Sequence, residues 1–223
     1  IFVKLMSEEQ PVWVGPSSFF MNRDGSLSFG LPERILVEWG TVQVCQSLGI
    51  PAGGSGPTTD AKAPTMQAGI EKTLGLTMMT LSGSDFINVC PILDEGSTTA
   101  LEQHIIDADI VGLVKRLAAG VKVSPETLAV DVINEVLMDR EKYPAYFLSH
   151  RHTVKHYREE MWLPDILFRG SWENFEKQER RGAIENAQAR IKDILKTHEP
   201  EPLAMEVQQE IDNIVKRAEK ELQ

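Results

Sequence analysis

Six side chains with binding or proton-carrying chemistry fall in three short segments rich in small residues: Ser17 and Ser18, then Asp60, then Asn88, Asp94 and Glu95. Each segment follows a short apolar run. In an α/β protein that places them in the loops beyond the strand ends, where such folds hold their ligands. Asp60 and Lys62 stand between Gly53-Gly54-Ser55-Gly56 and the next helical pattern. Two readings fit them: reaching into a mouth formed by the strand ends, or capping the following turn with the lysine in solvent. Asp94 and Glu95 are adjacent acids, so at most one is expected to point into that mouth. The glycine run itself invites a phosphate-loop reading, since glycines let backbone N–H groups approach an anion at a helix start. Neither G-x-x-x-x-G-K-S/T nor G-x-G-x-x-G is present, and Pro57 removes a donor. A flexible turn, or a loop kept small to admit a large ligand, remain as alternatives.

Other chemistries find less support. His150, His152 and His156 are the densest histidine group, with His152 and His156 on one helix face. Thr153 occupies the place of the glutamate in H-E-x-x-H, and no third ligand accompanies them, so a capping or solvated role is expected and no metal site. Cys45 and Cys90 lie far apart among apolar neighbours and read as buried thiols of a reducing cytosol. No G-x-S-x-G elbow marks a serine nucleophile.

The elements that must position these residues follow from spacing. Pro11 to Gly15, Ile50 to Gly53 and Asp85 to Cys90 read as buried strands. Helices are expected from Leu31 to near Gly49, with Pro32 in the first turn, and from Pro64 with apolar positions Met66, Ile70, Leu74, Met78 and Leu81. A third runs from Leu101 to Ala119, stopped by Gly120. Strand, loop and helix thus repeat three times, which implies an α/β fold with parallel strands, a barrel or a doubly wound sheet. Beyond Gly120 the pattern is helical: a Ser124-Pro125 start, then charge-rich helices over Trp172 to Thr197 and Leu203 to Leu222 around a Glu199-Pro200-Glu201-Pro202 break. Two domains are expected, residues 1–120 as strand-helix units and 121–223 as a helical region.

The chain of 223 residues is 42% hydrophobic and 25% charged, ordinary for a folded soluble protein. Its net charge of −10 and pI near 5.0 leave no basic stripe to track nucleic-acid phosphates, and suit a cationic small molecule better. No apolar run approaches the ~18 residues of a membrane span, so a cytoplasmic location is expected. The first residue is Ile1, and the opening residues read as the end of a helix, so a longer polypeptide is expected.

Thr59-Asp60-Ala61-Lys62-Ala63-Pro64-Thr65-Met66-Gln67-Ala68-Gly69-Ile70-Glu71-Lys72, Leu81-Ser82-Gly83-Ser84-Asp85-Phe86-Ile87 and Leu101-Glu102-Gln103-His104-Ile105-Ile106-Asp107-Ala108-Asp109-Ile110 closely resemble the trimethylamine:corrinoid methyltransferase family. Gly120 to Val130 and Tyr146 to Thr153 match as well. The resemblance implies the C-terminal half of a (β/α)₈ TIM-type barrel, whose last strands are followed by a helical region. It implies an enzyme that moves a methyl group from a methylated amine to the cobalt of a corrinoid carried on a partner protein, with no tightly bound metal of its own. Aligned on Asp60-Ala61-Lys62, the family's pyrrolysine falls at Pro57, which cannot form the amine adduct proposed for pyrrolysine. The chain therefore resembles the non-pyrrolysine branch, whose donors are quaternary amines such as glycine betaine. Glu33 falls on a glutamate the family also carries and joins Ser17, Ser18, Asp60, Asn88, Asp94 and Glu95 as a candidate substrate-binding residue. A homo-oligomer is expected. The competing reading is an inactive half-barrel that binds another chain to complete its sheet.

Overall fold

In a computed structural model the chain is described over residues 10–221, so the helix end expected at Ile1 and the last residue of the final helix, Leu222, lie outside the described residues. Its contacts divide into two compact units, one reaching to Ile191 and one from Lys192 onward. In the first unit a hairpin of β1 (Phe20–Met21) and β2 (Leu27–Ser28) precedes helix α1 (Pro32–Ser47). Then come β3 (Gly53–Ser55), α2 (Met66–Leu81), β4 (Phe86–Asn88), a second hairpin of β5 (Ile92–Leu93) and β6 (Thr98–Thr99), and α3 (Leu101–Ala118).

Three extended segments lie side by side in chain order. Val14 bridges Ala52 in parallel, and β3 pairs with β4 in parallel with Gly53 opposite Phe86 and Ser55 opposite Asn88. Parallel neighbours need crossovers, and α1 and α2 are those crossovers. One face of this set is buried: Val14, Ala52 and Ile87 pack with Val42, Cys45 and Met79 from the two helices. The other face carries Trp13 and Phe86, 61% and 41% exposed, their rings edge to face at 4.7 Å. They meet across β3 because Gly53 has no side chain; a Cβ there would lie 2.2 Å from the Phe86 carbonyl oxygen.

Glycine also punctuates the helices as expected. After α1, Gly49 adopts φ +65, and the Ile50 and Gly49 N–H groups bond back to Cys45 (2.9 Å) and Gln46 (3.1 Å), a Schellman stop. Gly83 and Gly120 follow α2 and α3 in the same left-handed region.

Four expectations are corrected. The middle strand lies in the glycine run, at Gly53–Ser55, and not over Ile50 to Gly53; a Cβ on Gly53 would meet the Phe86 carbonyl of β4 and one on Gly54 the Met79 side chain of α2. The apolar stripe of α2 faces outward: Met66, Ile70 and Leu74 are exposed, while Ala68, Gly75, Leu76 and a fully buried Lys72 face inward. Small residues let the helix approach the sheet, and Lys72 is neutralised there by Asp107. Cys45 is buried but Cys90 is exposed, just past the end of β4. Finally, Trp172 to Thr197 is not one helix; α7 (Trp172–Lys177) ends at Glu179 and Arg180, both at positive φ, before α8 (Ala183–Thr197).

Between Gly120 and α7 the described elements are helical: α4 (Pro125–Leu128), α5 (Val130–Met138) and α6 (Arg151–Glu160). Ser124 and Thr127 form the capping box that opens α4. In the second unit α9 (Met205–Glu221) follows the proline break. Among the described residues no helix is long and apolar enough to cross a membrane.

Candidate functional site

Beyond the carboxyl ends of the three parallel segments lie loop I (15–31), loop II (56–65) and loop III (89–100). Together they enclose a cavity of about 270 Å³. Ser17 and Phe29 line it from loop I, Ser55 to Thr58 from β3 and loop II, and Asn88, Cys90, Ile92 and Glu95 from β4 and loop III. Pro57 is fully buried in this wall. Gly56 must be glycine, since a Cβ would stand 1.9 Å from the Asn88 carbonyl oxygen that accepts the Gly56 N–H at 2.7 Å.

Of the candidates from sequence, Ser17, Asn88 and Glu95 come together here with Pro57. Ser18 lies behind the wall; its carbonyl accepts from Arg34 Nε at 3.1 Å, and its buried hydroxyl has no partner among the described residues. Asp60 faces loop I, where its carboxylate accepts from the Ser28 hydroxyl, the Phe29 N–H (2.7 Å) and the Gly30 N–H (3.0 Å). That is a loop-holding geometry and neither of the two readings its position allowed: Asp60 binds a loop about thirty residues earlier and not the following turn, and Lys62 pairs with Asp94 and Glu95. Glu33 is exposed in the first turn of α1, outside the cavity. Asp94 and Glu95 share one counter-ion: Lys62 reaches Asp94 Oδ1 and donates to Glu95 Oε1 at 2.8 Å. These bonds, the one to Asp94 foremost, push the Lys62 ammonium pKa above its usual range. Both acids sit at positive φ (50° and 56°), a backbone state that side chains other than glycine rarely adopt.

Charged residues that the sequence alone did not single out hold the loops. From α1, Arg34 bonds the Ser18, Phe29 and Ser55 carbonyls and the Thr58 hydroxyl, and pairs with Glu38 at 2.9 Å. Burial pushes the Glu38 carboxyl above its ordinary value against the pull of Arg34. From α2, Glu71 accepts from the Thr59 hydroxyl (2.5 Å) and the Asp60 N–H (2.9 Å). Lys72 donates to the Cys90 carbonyl at 3.0 Å and to Asp107 at 2.7 Å. The only sequence signal for the first pair was its i, i+4 spacing, which solvated surface pairs share.

A larger hollow of about 890 Å³ lies on the outer face, between the exposed stripe of α2 and Ile106, Ile110 and Leu113 of α3. Its lining is mostly apolar, with Thr65, Thr73, Thr77 and Glu185 as its polar residues, and none of the candidate residues from sequence lies in it. The histidines also lie elsewhere. His150 caps α6 by accepting the His152 N–H at Nδ1 (3.1 Å), and His152 Nε2 lies 2.8 Å from the Glu126 carbonyl. The His152 and His156 rings are 4.3 Å apart, as their shared helix face requires.

The sequence matches the family described as Trimethylamine methyltransferase (MTTB) over residues 1–223. This chain belongs to the trimethylamine methyltransferase family. Among its relatives, trimethylamine methyltransferase MttB2 of Methanosarcina mazei is 32% identical over 212 residues, covering 94% of this chain and 41% of the relative. The glycine betaine methyltransferase of Desulfitobacterium hafniense is 28% identical over 214 residues, 95% of this chain and 43% of its own length. The chain therefore spans less than half the length of the curated family members it matches.

Proposed function

We propose that this chain forms the donor-binding part of an enzyme that moves a methyl group from a quaternary amine to the cobalt of a corrinoid on a partner protein. In this reading residues 1–120 are the last strand-helix units of a (β/α)₈ barrel and 121–223 the helical region that follows. The observation that carries the proposal is Pro57. The residue aligned with the family's pyrrolysine lines the hollow that the three strand-end loops form, and it is a proline, unable to form an amine adduct.

The rest of the wall suits a small cation. Glu95 is the acid in the lining, and Phe29 offers an aromatic ring, the two features that hold a quaternary ammonium. Ser17 and Asn88 supply neutral donors for a carboxylate such as that of glycine betaine. A cavity of about 270 Å³ admits such a molecule and not a corrin macrocycle, which fits a corrinoid brought by another protein to the open mouth. When bound, the reduced cobalt supplies the nucleophile. The electrons of the broken C–N bond stay on nitrogen, so a quaternary donor departs as a neutral tertiary amine and needs no proton. The lining residues then have only to bind and orient the donor. The outward apolar groove of α2 and α3 supports a homo-oligomer.

The test is methyl transfer by the full protein to a reduced corrinoid protein, followed through the cobalt absorbance with glycine betaine, other quaternary amines and trimethylamine. Transfer from quaternary donors is expected. Transfer from trimethylamine alone would overturn the donor assignment, and none from any amine would overturn the activity.

A further inference from the structure

Arg34 is 2% exposed and Glu38 1% exposed, and neither lines the cavity. Four of the groups that Arg34 holds nevertheless belong to the cavity wall or its immediate neighbours. Nε donates to the Ser18 carbonyl (3.1 Å) and Nη1 to the Phe29 carbonyl (3.2 Å) in loop I. Nη1 also reaches the Thr58 hydroxyl, and Nη2 the Ser55 carbonyl (3.4 Å), on the β3 and loop II side. Thr58 closes the circuit by donating its hydroxyl proton to the Phe29 carbonyl at 2.9 Å. A planar guanidinium with five fixed donors serves four acceptors on two chain segments; an ammonium cannot. Glu38, one turn further along α1, neutralises the guanidinium at 2.9 Å, so a cationic ligand does not face a bare positive charge behind the wall.

We propose that Arg34, braced by Glu38, is a positioning residue for the methylated ammonium donor: it ties loop I to loop II and so fixes the wall that Ser17, Phe29, Pro57 and Thr58 present. The inference rests on the proposed function for its ligand class, and on geometry alone for the clamp. Asp60 ties the same two loops through Ser28, Phe29 and Gly30, and Arg34 differs from it in reaching Ser55 and Thr58 of the wall as well.

The experiment compares wild type with Arg34→Lys, and with Arg34→Met/Glu38→Leu, in which the buried pair is replaced by apolar side chains that keep the helix packed. Hydrogen exchange of the full protein reads the clamp. Both variants are expected to show at least tenfold faster exchange of amides in residues 16–31 and 55–62, with α2 and α3 unchanged. Steady-state methyl transfer to the corrinoid protein reads the role: the KM for the methyl donor is expected to rise on the order of tenfold or more, with the KM for the corrinoid protein unchanged. Unchanged exchange in both loops overturns the proposal. Faster exchange with an unaltered donor KM overturns the positioning role, as does a fall in kcat alone, which a loss of folded enzyme would also produce. Wild-type protein that transfers no methyl group, with loops that loosen in both variants, supports the clamp and refutes the activity assigned to the site.

Discussion

Replacing Lys72 with methionine should cost this protein about 3–5 kcal/mol. The side chain is fully buried; its ammonium donates to Asp107 Oδ2 at 2.7 Å and to the Cys90 carbonyl at 3.0 Å, joining α2, α3 and loop III. Methionine keeps nearly the same volume, so little of the effect is a cavity. The cost arises because Asp107, 3% exposed, is left as a buried carboxylate with only the Gln103 amide (2.6 Å) beside it. Domains are stable by about 5–15 kcal/mol, so the loss is a large fraction of the whole.

The same substitution has a pH signature. Burial already raises the Asp107 carboxyl above its ordinary 3.8, with the hydrogen bond from Lys72 opposing it. Without Lys72 that opposition vanishes and the folded-state value climbs further. A raised carboxyl favours folding while protonated, and that favour is lost as pH rises through the folded value. The variant should therefore lose stability with rising pH above about 4, by up to about 1.4 kcal/mol per unit. Urea denaturation of wild type, Lys72→Met and Lys72→Met/Asp107→Asn between pH 5 and 8 measures this, where the asparagine keeps an acceptor for Gln103. The double variant should recover at least about 2 kcal/mol. A single-variant loss below about 1 kcal/mol, or a double variant no more stable than the single, would refute the reasoning.

Gly56→Ala should destabilise by about 1–3 kcal/mol, read by urea denaturation, because β3 and β4 must part to admit the Cβ. Asp109→Ala should cost about 2–4 kcal/mol in the same assay, since its buried carboxylate accepts the N–H groups of Asp165 (2.9 Å), Ile166 (3.0 Å) and Leu167 (3.3 Å). Iodoacetamide should label Cys90 and spare Cys45 in the folded protein, and glycine betaine should slow that labelling; mass spectrometry of the two peptides decides. The α5 to α6 region should loosen first in acid. Hydrogen bonds from Lys142 and then Tyr143 hold the Glu135 carboxyl down at about 2, so its contribution is present above 4.5 and fades as pH falls toward 2, which hydrogen exchange along an acid titration would show.

Local grammar was legible without coordinates. Pro32 starts α1, Gly49 and Gly120 stop helices, Ser124 caps α4, and the repeat of strand, loop and helix required parallel neighbours. These features depend on residues within a few positions of one another, so the sequence carries them outright. The motif around Asp60-Ala61-Lys62 likewise pointed to the family.

What the chain could not reveal by itself was which way each charge points. Glu33 and Arg34 are neighbours, yet a helix turns about 100° per residue, so one lies in solvent and the other behind the cavity. Which of them faces inward depends on where the helix meets the sheet. Asp60 finds its partners at Ser28, Phe29 and Gly30, and Lys72 finds Asp107, thirty or more residues away in sequence. The types of these residues announce charge; only the tertiary structure desolvates and pairs them, and burial decides whether a charge binds a ligand or holds the loops that do.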